Sequence, residues 1–479
     1  MKAKRSEFFR RSFAALPLTL VCLSPSAVGQ VVQNANSSAS PGSLVTVPSI
    51  AALQALGPSS RSRLSVHVTA NNAGAISGGG IFAWQLPTSM NKQCSADGGT
   101  IFLATGVAAS AGCWVRQDTG GAWLYDWFGA VPDISVDSTS AINLANKNLN
   151  GHKLVFATGA TYKITASINF PAGATDWSVD CQRAVIKQWA DNTPIFVLQG
   201  DSNTVGFDIG YCNFGYLKPQ PTSNTSAIAI DFGKPDGSGG LWTFFRIHDI
   251  YTGAGYGNEV FSVIARDPHT GGHTANIQDR FAIERINSSA PGGIVHLIGG
   301  TGGASGGIIN ELYGFGVSAA VRPFVTMYGC NGCTYSNIDR TGYINGQSVN
   351  QPLVYAESGA NQRFVNNKTE NETYSLDGLQ LIRISNSYNN WIEGLQIVTD
   401  TINMPRKDDN FCLTGDTSAN IRNAKYTLTG AASFDTITRQ GTSNLFCLSD
   451  AHSAVLRDPT TWSFSIAPKT SLRNIKLPE

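Results

Sequence analysis

The sequence predicts an all-β solenoid in which parallel strands stack coil upon coil. Short apolar segments recur at intervals of 36, 26, 26, 30 and 27 residues, close to the length of one three-sided coil with its turns. The chain is also rich in Gly, Asn, Ser and Thr, which favours strands and tight turns. An antiparallel β-sandwich also has many short strands, but few two-residue hairpin signals separate these repeats. The solenoid is therefore the preferred prediction.

Six four-residue segments define the repeat, and most begin and end with an apolar residue. They begin at Ile247, Ile283, Ile309, Tyr335, Val365 and Ile392. Apolar residues three positions apart break the strict alternation of a straight strand, so a bend is expected inside each segment. The unequal intervals predict loops that leave the body, and such loops commonly build a binding face.

Composition excludes several classes of function. Charged residues make up 14% of the chain and the formal net charge is +1, so nothing in the charge balance predicts a nucleic acid or membrane-surface partner. Hydrophobic residues at 42% and aromatic residues at 10% argue against disorder over most of the length.

Residues 1–29 have the features of a secretory signal peptide. Basic residues open the chain, an apolar run covers 13–23, and small residues at 27–29 suit cleavage before Gln30. The apolar run is too short to span a membrane. We therefore expect a secreted protein, periplasmic or extracellular, whose residues 30–46 form a flexible leader.

Residues 47–126 are predicted to form a small β module. Its short β-like segments are rich in Gly and aromatic residues, and a helix is expected over 49–56 with Ser49 as its N-cap. The motif Trp127-Phe128-Gly129-Ala130 follows the module. A helix-like segment at 138–149 and strand-like segments at 154–156 and 161–164 come next.

In this order the segments resemble the entry into a right-handed parallel β-helix of the pectate-lyase-like superfamily. The resemblance is closest to phage tailspike depolymerases and their secreted bacterial relatives, and by motif it covers about residues 45–190. It implies a capping helix below the first coil, a β-helix over 127–410 and final coils or a cap over 411–479. It also implies a polysaccharide substrate. The relatives usually continue with a Gly-Asp-Gly turn, which this chain replaces with Val131-Pro132-Asp133.

Eight cysteines remain after signal removal, and an even number in an exported chain is consistent with disulfides. Neighbours in the chain are expected to pair: Cys94 with Cys113, Cys181 with Cys212, Cys330 with Cys333, and Cys412 with Cys447. A redox motif would start a helix and a zinc site would need a second pair nearby. The strand-like surroundings of Cys330 and Cys333 favour a structural disulfide.

Glycoside hydrolysis requires a proton donor and a second carboxylate. Equivalent positions on neighbouring coils lie roughly 4.8 Å apart, so stacked coils can supply such a pair. Glu284, Glu311 and Asp339 lie in or beside the apolar segments of consecutive coils, and they are the candidate catalytic residues. This chemistry requires no metal ion or cofactor, and none is expected.

Other side chains are candidates for substrate binding or for a secondary acid pair. The binding candidates are Arg285, Arg340, Trp242, Tyr256, Tyr313 and Tyr343. Further acidic pairs are Glu370 with Glu372 and Glu357 with Glu393. A long loop contributes Arg266, Asp267, His269, His273 and Asp279, which could hold a general acid or base.

The sequence therefore predicts a monomeric polysaccharide-degrading enzyme, with hydrolysis preferred over β-elimination. A lyase needs a group that neutralises a uronate and a base, and Arg340 with Tyr343 or Arg285 with His269 could fill those roles. A non-catalytic carbohydrate-binding protein and an accessory factor of exopolysaccharide production are the remaining alternatives.

Overall fold

The structure is a computed structural model, and the described residues form a series of segments. They are 44–56, 65–72, 77–90, 94–117, 120–200, 204–218, 227–233, 241–253, 260–265, 276–277, 280–297, 304–317, 322–342, 349, 351–357, 359–370, 372–374, 382–385, 390–393, 396–398, 401–402 and 419–422. The predicted signal peptide, residues 30–43 of the predicted leader and most of the predicted C-terminal segment lie outside these residues. The last two residues of the predicted leader belong to the strand Val45–Val47.

The N-terminal module is a five-stranded sheet with short helices at its edges. Its strands, in chain order, are Val45–Val47, Ser65–Ala70, Gly78–Gln85, Ile101–Phe102 and Cys113–Arg116, and its helices are Ile50–Gln54, Pro87–Met90 and the 3-10 turn Ala109–Ala111. Ser49 caps the first helix as predicted, because its side chain accepts a hydrogen bond from the Ala52 amide at 3.2 Å.

The rest of the described chain forms a parallel β-helix, which confirms the predicted fold class. Two of its three faces form one continuous sheet of 18 strands within the described residues. The first face contains Ala122–Leu124, Lys153–Val155, Thr175–Asp180, Thr204–Gly210, Leu241–Thr243, Asn276–Ile277, Arg363–Val365, Asn390–Glu393 and Ala419–Arg422. The second face contains Thr161–Ile164, Val185–Gln188, Asn213–Tyr216, Lys368–Glu370 and Gln396–Val398.

Four long strands turn the corner from the first face to the second. They are Arg246–Thr252, Ala282–Ser288, Ile308–Val317 and Thr334–Gly342. The third face contains Ile168–Phe170, Phe196–Leu198, Ile228–Asp231, Ser262–Ala265, Val295–Leu297, Val325–Tyr328, Val354–Glu357 and Ile382–Ser385. Two small pairs complete the strands: Ala304–Ser305 with Cys330–Asn331, and Thr373–Tyr374 with Thr401–Ile402.

In five of the six repeated segments the predicted bend is a left-handed backbone residue: Asp249, Arg285, Glu311, Asn337 and Asn366, with φ between 51° and 54°. The strand registers place these residues on successive coils, and Tyr211, with φ 58°, has the same position on the coil before them. In the sixth segment the corresponding residue, 394, lies outside the described residues. Left-handed φ values are uncommon outside glycine, so their repetition defines one corner that runs along the solenoid. The segment predicted to begin at Val365 begins one residue earlier, because buried Phe364 pairs with Tyr335.

Apolar and aromatic side chains stack inside the coils. The rings of Trp177, Phe207 and Phe245 are parallel within 10°, and each centroid lies 4.9 Å from the next. All three side chains are buried. Their stacking follows from the register, since in-register parallel strands place equivalent side chains above one another. Each coil therefore buries its interior against the coils beside it.

The Trp127-Phe128-Gly129-Ala130 motif connects the module to the first coil. It begins in the 3-10 turn Tyr125–Phe128, which ends at Gly129 in the left-handed conformation, with φ 97°. The predicted capping helix follows at Thr139–Asn146. The buried Arg116 guanidinium lies 4.3 Å from the centre of the Trp127 ring, so the module packs directly on the motif.

The described part of the chain contains three disulfides: Cys94–Cys113, Cys181–Cys212 and Cys330–Cys333. They correspond to three of the four pairs expected from the sequence. The second disulfide joins adjacent coils of the solenoid across a Cα–Cα distance of 4.8 Å. Cys412 and Cys447 lie outside the described residues. Among the described residues, no helix is long and apolar enough to cross a bilayer.

Candidate functional site

The corner between the first and second faces carries two groups of charged side chains. The first, here called the His248 cluster, contains Asp208, Arg246, His248, Asp249, Glu284 and Arg285. The second, here called the Asp339 cluster, contains Asp339, Lys368 and Glu370. In both clusters the side chains lie at outward positions, and each cluster combines residues of neighbouring coils. The strand register aligns His248 with Glu284 in the first cluster and Asp339 with Lys368 in the second.

His248 and Arg285 organise the first cluster. The His248 side chain is only 5% exposed; its Nε2 lies 3.0 Å from Asp208 Oδ1 and its Nδ1 lies 2.5 Å from Asp249 Oδ2. From the next coil, Arg285 donates to both oxygens of Asp249, from Nε at 2.9 Å and from Nη2 at 2.8 Å. This bidentate geometry is the strong form of a charge-assisted hydrogen bond.

These contacts favour the charged forms of Asp249, His248 and Arg285. Hydrogen bonds from Arg285 lower the pKa of Asp249, and this effect exceeds the opposing effect of burial. Burial by itself would lower the pKa of His248, but hydrogen bonds to Asp208 and Asp249 raise it overall. The pKa of Arg285 is raised, chiefly by its hydrogen bonds to Asp249. Asp249 and Glu284, two carboxylates of this cluster, are therefore each paired with arginine.

Glu284, a sequence-predicted catalytic residue, belongs to this ion-paired set. Arg246 Nη2 lies 2.9 Å from its Oε2, and Arg285 Nη1 lies 3.5 Å from the same atom. The Glu284 side chain is 17% exposed. Glu311, the second candidate, is exposed at the left-handed corner of the next coil. Its charge contributes to the raised pKa of Arg285, so it lies near the edge of the same cluster.

Asp339, the third candidate, has different surroundings. Its side chain is 28% exposed, and its only cationic partner among the described residues is Lys368, whose Nζ lies 3.4 Å from Oδ2. The other oxygen, Oδ1, is buried and has no hydrogen-bond partner among the described residues. Lys368 is held more closely by Glu370, at 2.5 Å from Oε2.

The pKa of Asp339 is raised. Burial is the largest cause, the charge and hydrogen bond of Lys368 oppose it, and the negative charge of Glu370 adds to it. A carboxyl group that favours its protonated form can serve as a proton donor. Since Lys368 touches both acids, the oxygens of Asp339 and Glu370 are separated by no more than the sum of its 3.4 Å and 2.5 Å contacts.

Two exposed aromatic side chains lie beside Asp339. Tyr313 is the register neighbour of Asp339 on the preceding coil and is 36% exposed, and Phe315 is 61% exposed. Their rings are stacked with centroids 6.4 Å apart. Flat aromatic faces next to polar groups are typical of ligand sites. Tyr313 was predicted from the sequence, whereas Phe315 was not, although it occupies the next outward position on the same strand.

The structure corrects two predicted substrate-binding residues. Trp242 is completely buried, with its ring 5.2 Å from that of Phe232, so it belongs to the core. Arg340 is also completely buried, and it donates to Glu372 from Nε at 2.5 Å and from Nη2 at 2.9 Å. Both residues face the interior of the coil and are inaccessible to a surface-bound glycan.

Several other predicted residues have no described surroundings. Tyr256, Tyr343 and the predicted loop cluster of residues 266–273 with Asp279 lie outside the described residues. Glu357 and Glu393 lie in strands, and their side chains are not described.

Arg285, a predicted binding residue, is on the surface and 35% exposed, but it is bound to Asp249. Of the predicted set, Asp339 and Tyr313 therefore form a compact surface site, together with Lys368, Glu370 and Phe315.

The fold and this outward corner define a parallel β-helix protein that resembles phage tailspikes in architecture. Residues 46–119 match the model of the phage tail protein small four-stranded β-sheet domain. No curated protein matches the sequence.

Solved structures extend the similarity to the solenoid. The enzymatically active domain of bacteriophage CBA120 tailspike protein 2 matches at 11% identity and a TM-score of 0.51, covering 79% of this chain and 51% of that one. The Acinetobacter phage vB_ApiP_P1 tailspike matches at 15% identity and a TM-score of 0.47, covering 90% of this chain and 72% of that one. Pantoea stewartii WceF, a glycan biofilm modifying enzyme, matches at 12% identity and a TM-score of 0.41, covering 73% of this chain and 48% of that one. This chain thus spans about half the length of the CBA120 domain.

Proposed function

We propose that the protein is a secreted enzyme that hydrolyses glycosidic bonds in a bacterial exopolysaccharide or capsule. The observation that carries the proposal is Asp339, a half-buried carboxyl group with a raised pKa, beside two exposed aromatic rings. One of its oxygens has no hydrogen-bond partner in the described part of the chain. A carboxyl group with a raised pKa next to a flat sugar-sized surface suits the proton donor that glycoside hydrolysis requires.

Asp339 donates its proton to the glycosidic oxygen as the bond to the anomeric carbon breaks. Glu370 is the second carboxylate: it bonds to the anomeric carbon as the glycosidic oxygen leaves, and water then hydrolyses this intermediate. Lys368 contacts both acids and so keeps them close together, as a retaining pair requires. Tyr313 and Phe315 provide a surface on which a sugar ring stacks. Of the three catalytic residues predicted from the sequence, this proposal retains Asp339 as catalytic and assigns Glu284 a structural role.

Hydrolysis is favoured over β-elimination because the described cations are poor bases. The pKa of Lys368 is raised: burial would lower it, but the hydrogen bond to Glu370 and the charges of Asp339 and Glu370 have the larger combined effect. Arg285 is likewise held in its charged form by Asp249. His248 is enclosed between two carboxylates that stabilise its protonated form. None of these three groups is therefore well suited to accept a proton from carbon, as an elimination requires of its base.

The comparison with CBA120 tailspike protein 2 supports a catalytic role, since the matching domain is described as enzymatically active. We further propose that residues 1–29 direct export, that residues 47–126 act as an attachment or capping module, and that 127–410 form the catalytic solenoid. The remaining residues, 411–479, complete its coils or cap it. We propose that the enzyme acts as a monomer.

A product assay tests the proposal. Purified protein is incubated with a panel of bacterial exopolysaccharides and capsules, and both reducing ends and the ultraviolet absorbance of unsaturated uronates are measured. We expect new reducing ends without unsaturated products. New double bonds would identify a lyase. Tight binding without either product would identify a non-catalytic binding protein.

A further inference from the structure

A second aromatic surface lies on the outside of the second face, in the early coils. Trp189 follows the strand Val185–Gln188 and is 42% exposed. The ammonium groups of Lys163 and Lys218 lie 4.8 Å and 4.6 Å from the centre of its ring. Lys163 comes from the preceding coil and Lys218 from the following coil, so three coils meet at this one side chain.

A third lysine completes this surface. Lys187 is the register partner of Lys163 on the adjacent strand. Both point outward, because the residues flanking Lys163 in its strand, Tyr162 and Ile164, are completely buried. We call Lys163, Lys187, Trp189 and Lys218 the Trp189 patch.

The charge arrangement of the patch favours an anionic ligand. Like charges directly opposite each other on neighbouring strands are destabilising, and only 14% of this chain is charged. Among the described residues, Asp137 interacts with Lys163, and its oxygens already accept hydrogen bonds from Thr139 and Thr165. An external anion would relieve the repulsion between the lysines.

We propose that the Trp189 patch binds an acidic sugar of a polysaccharide chain, with the indole against the sugar ring and the lysines around its carboxylate. The ammonium group of Lys163, which makes a weak exposed cation–π contact with the indole, would then pair with the carboxylate. The patch lies on the same face as Asp339, five coils away, or about 24 Å along the solenoid. The identification of the ligand as the substrate rests on the proposed function, and it makes that substrate an acidic polysaccharide.

Calorimetric titration tests the patch without relying on turnover. The probes are a linear hexamer of α-1,4-linked galacturonate, neutral maltohexaose, and an oligodeoxynucleotide of the same charge as the galacturonate hexamer. The proteins carry Asp339→Asn so that no probe is cleaved. Trp189→Ala and Lys187→Gln are compared with matched controls elsewhere on the surface: Phe244→Ala, at a side chain 51% exposed, and Lys153→Gln, at a side chain 45% exposed.

We expect the galacturonate hexamer to bind and maltohexaose to bind at least roughly tenfold more weakly. Trp189→Ala should weaken hexamer binding by roughly tenfold, and Lys187→Gln should reduce both the affinity and its dependence on salt. The two control substitutions should leave binding unchanged. Circular dichroism melting of each variant separates loss of binding from loss of fold.

Three results would overturn the assignment: unchanged hexamer binding by Trp189→Ala, no hexamer binding by the parent protein, or equally tight binding of the oligodeoxynucleotide. The third would mean that the patch recognises charge alone. None of these results concerns hydrolysis, which the product assay measures separately, so failure of the patch and failure of the proposed enzyme are distinguishable.

Discussion

The His248 cluster and the Asp339 cluster lie on the same corner of the solenoid and are built from similar residue types. In the first, Asp249 receives two hydrogen bonds from Arg285 and its pKa is lowered. In the second, the pKa of Asp339 is raised, and among the described residues its one cationic partner is Lys368 at 3.4 Å and its Oδ1 has no hydrogen-bond partner. The contrast indicates that paired carboxylates stabilise the stack, whereas an incompletely paired carboxyl group remains available for proton transfer.

The contrast predicts its largest effect on catalysis. Asp339→Asn should lower kcat by about 10²- to 10⁴-fold, because the amide cannot donate the proton that the leaving oxygen needs. Glu284→Gln should retain most of the activity, since Glu284 is bound to Arg246 and Arg285. Initial rates of reducing-end release measure both variants. Comparable losses of activity in Asp339→Asn and Glu284→Gln would contradict the proposed difference between the two clusters.

The contrast reverses when stability is measured. Asp249→Asn should lower the free energy of unfolding by about 1–2 kcal/mol, because it weakens the charge-assisted hydrogen bonds from Arg285 and His248. Asparagine tolerates the left-handed backbone at this position, so the change isolates the charge.

Asp339→Asn should leave the free energy of unfolding unchanged or slightly higher, since burial already disfavours the charged carboxylate. Chemical denaturation of both variants measures this difference. A large loss of stability in Asp339→Asn would indicate that Asp339, like Asp249, is a structural residue.

The smallest expected effect is a pH dependence of stability from His248. Its pKa in the folded protein is raised, so its contribution is fully present below the ordinary histidine pKa of about 6.5 and is lost as pH rises through the folded value. Thermal unfolding from about pH 5.5 to about pH 8.5 should show this decline. Asp208→Asn should flatten it, whereas Asp180→Asn, which removes an exposed ion pair to Lys153, should not.

The sequence was sufficient to predict the architecture because the repeat spacing and the capping motif are local signals. The bend within each repeated segment also followed from local pattern, since apolar residues three positions apart cannot share one face of a straight strand. The bend then decides which side chains face outward. Counting alternate positions from buried Ile338 places Asp339 outside and Arg340 inside, as the structure has them.

The contacts of the site could not be predicted, because they form between coils. Glu372 reaches Arg340 from 32 residues away, and Arg285 reaches Asp249 from 36 residues away. Such pairings depend on the loop lengths, which set the register of each coil. One register was predicted wrongly by a single residue: the repeated segment was expected to begin at Val365, but Phe364 pairs with Tyr335. Charge type alone therefore could not separate Glu284 from Asp339.

The dependence of kcat/KM on pH tests the central claim most directly. If protonated Asp339 donates the proton, kcat/KM should fall on the alkaline side through a pKa above the ordinary aspartate value, and this limb should be absent from any residual activity of Asp339→Asn. A rate that instead rises with pH from about 4 to about 9 would contradict the account, because it would require a base at the reacting carbon.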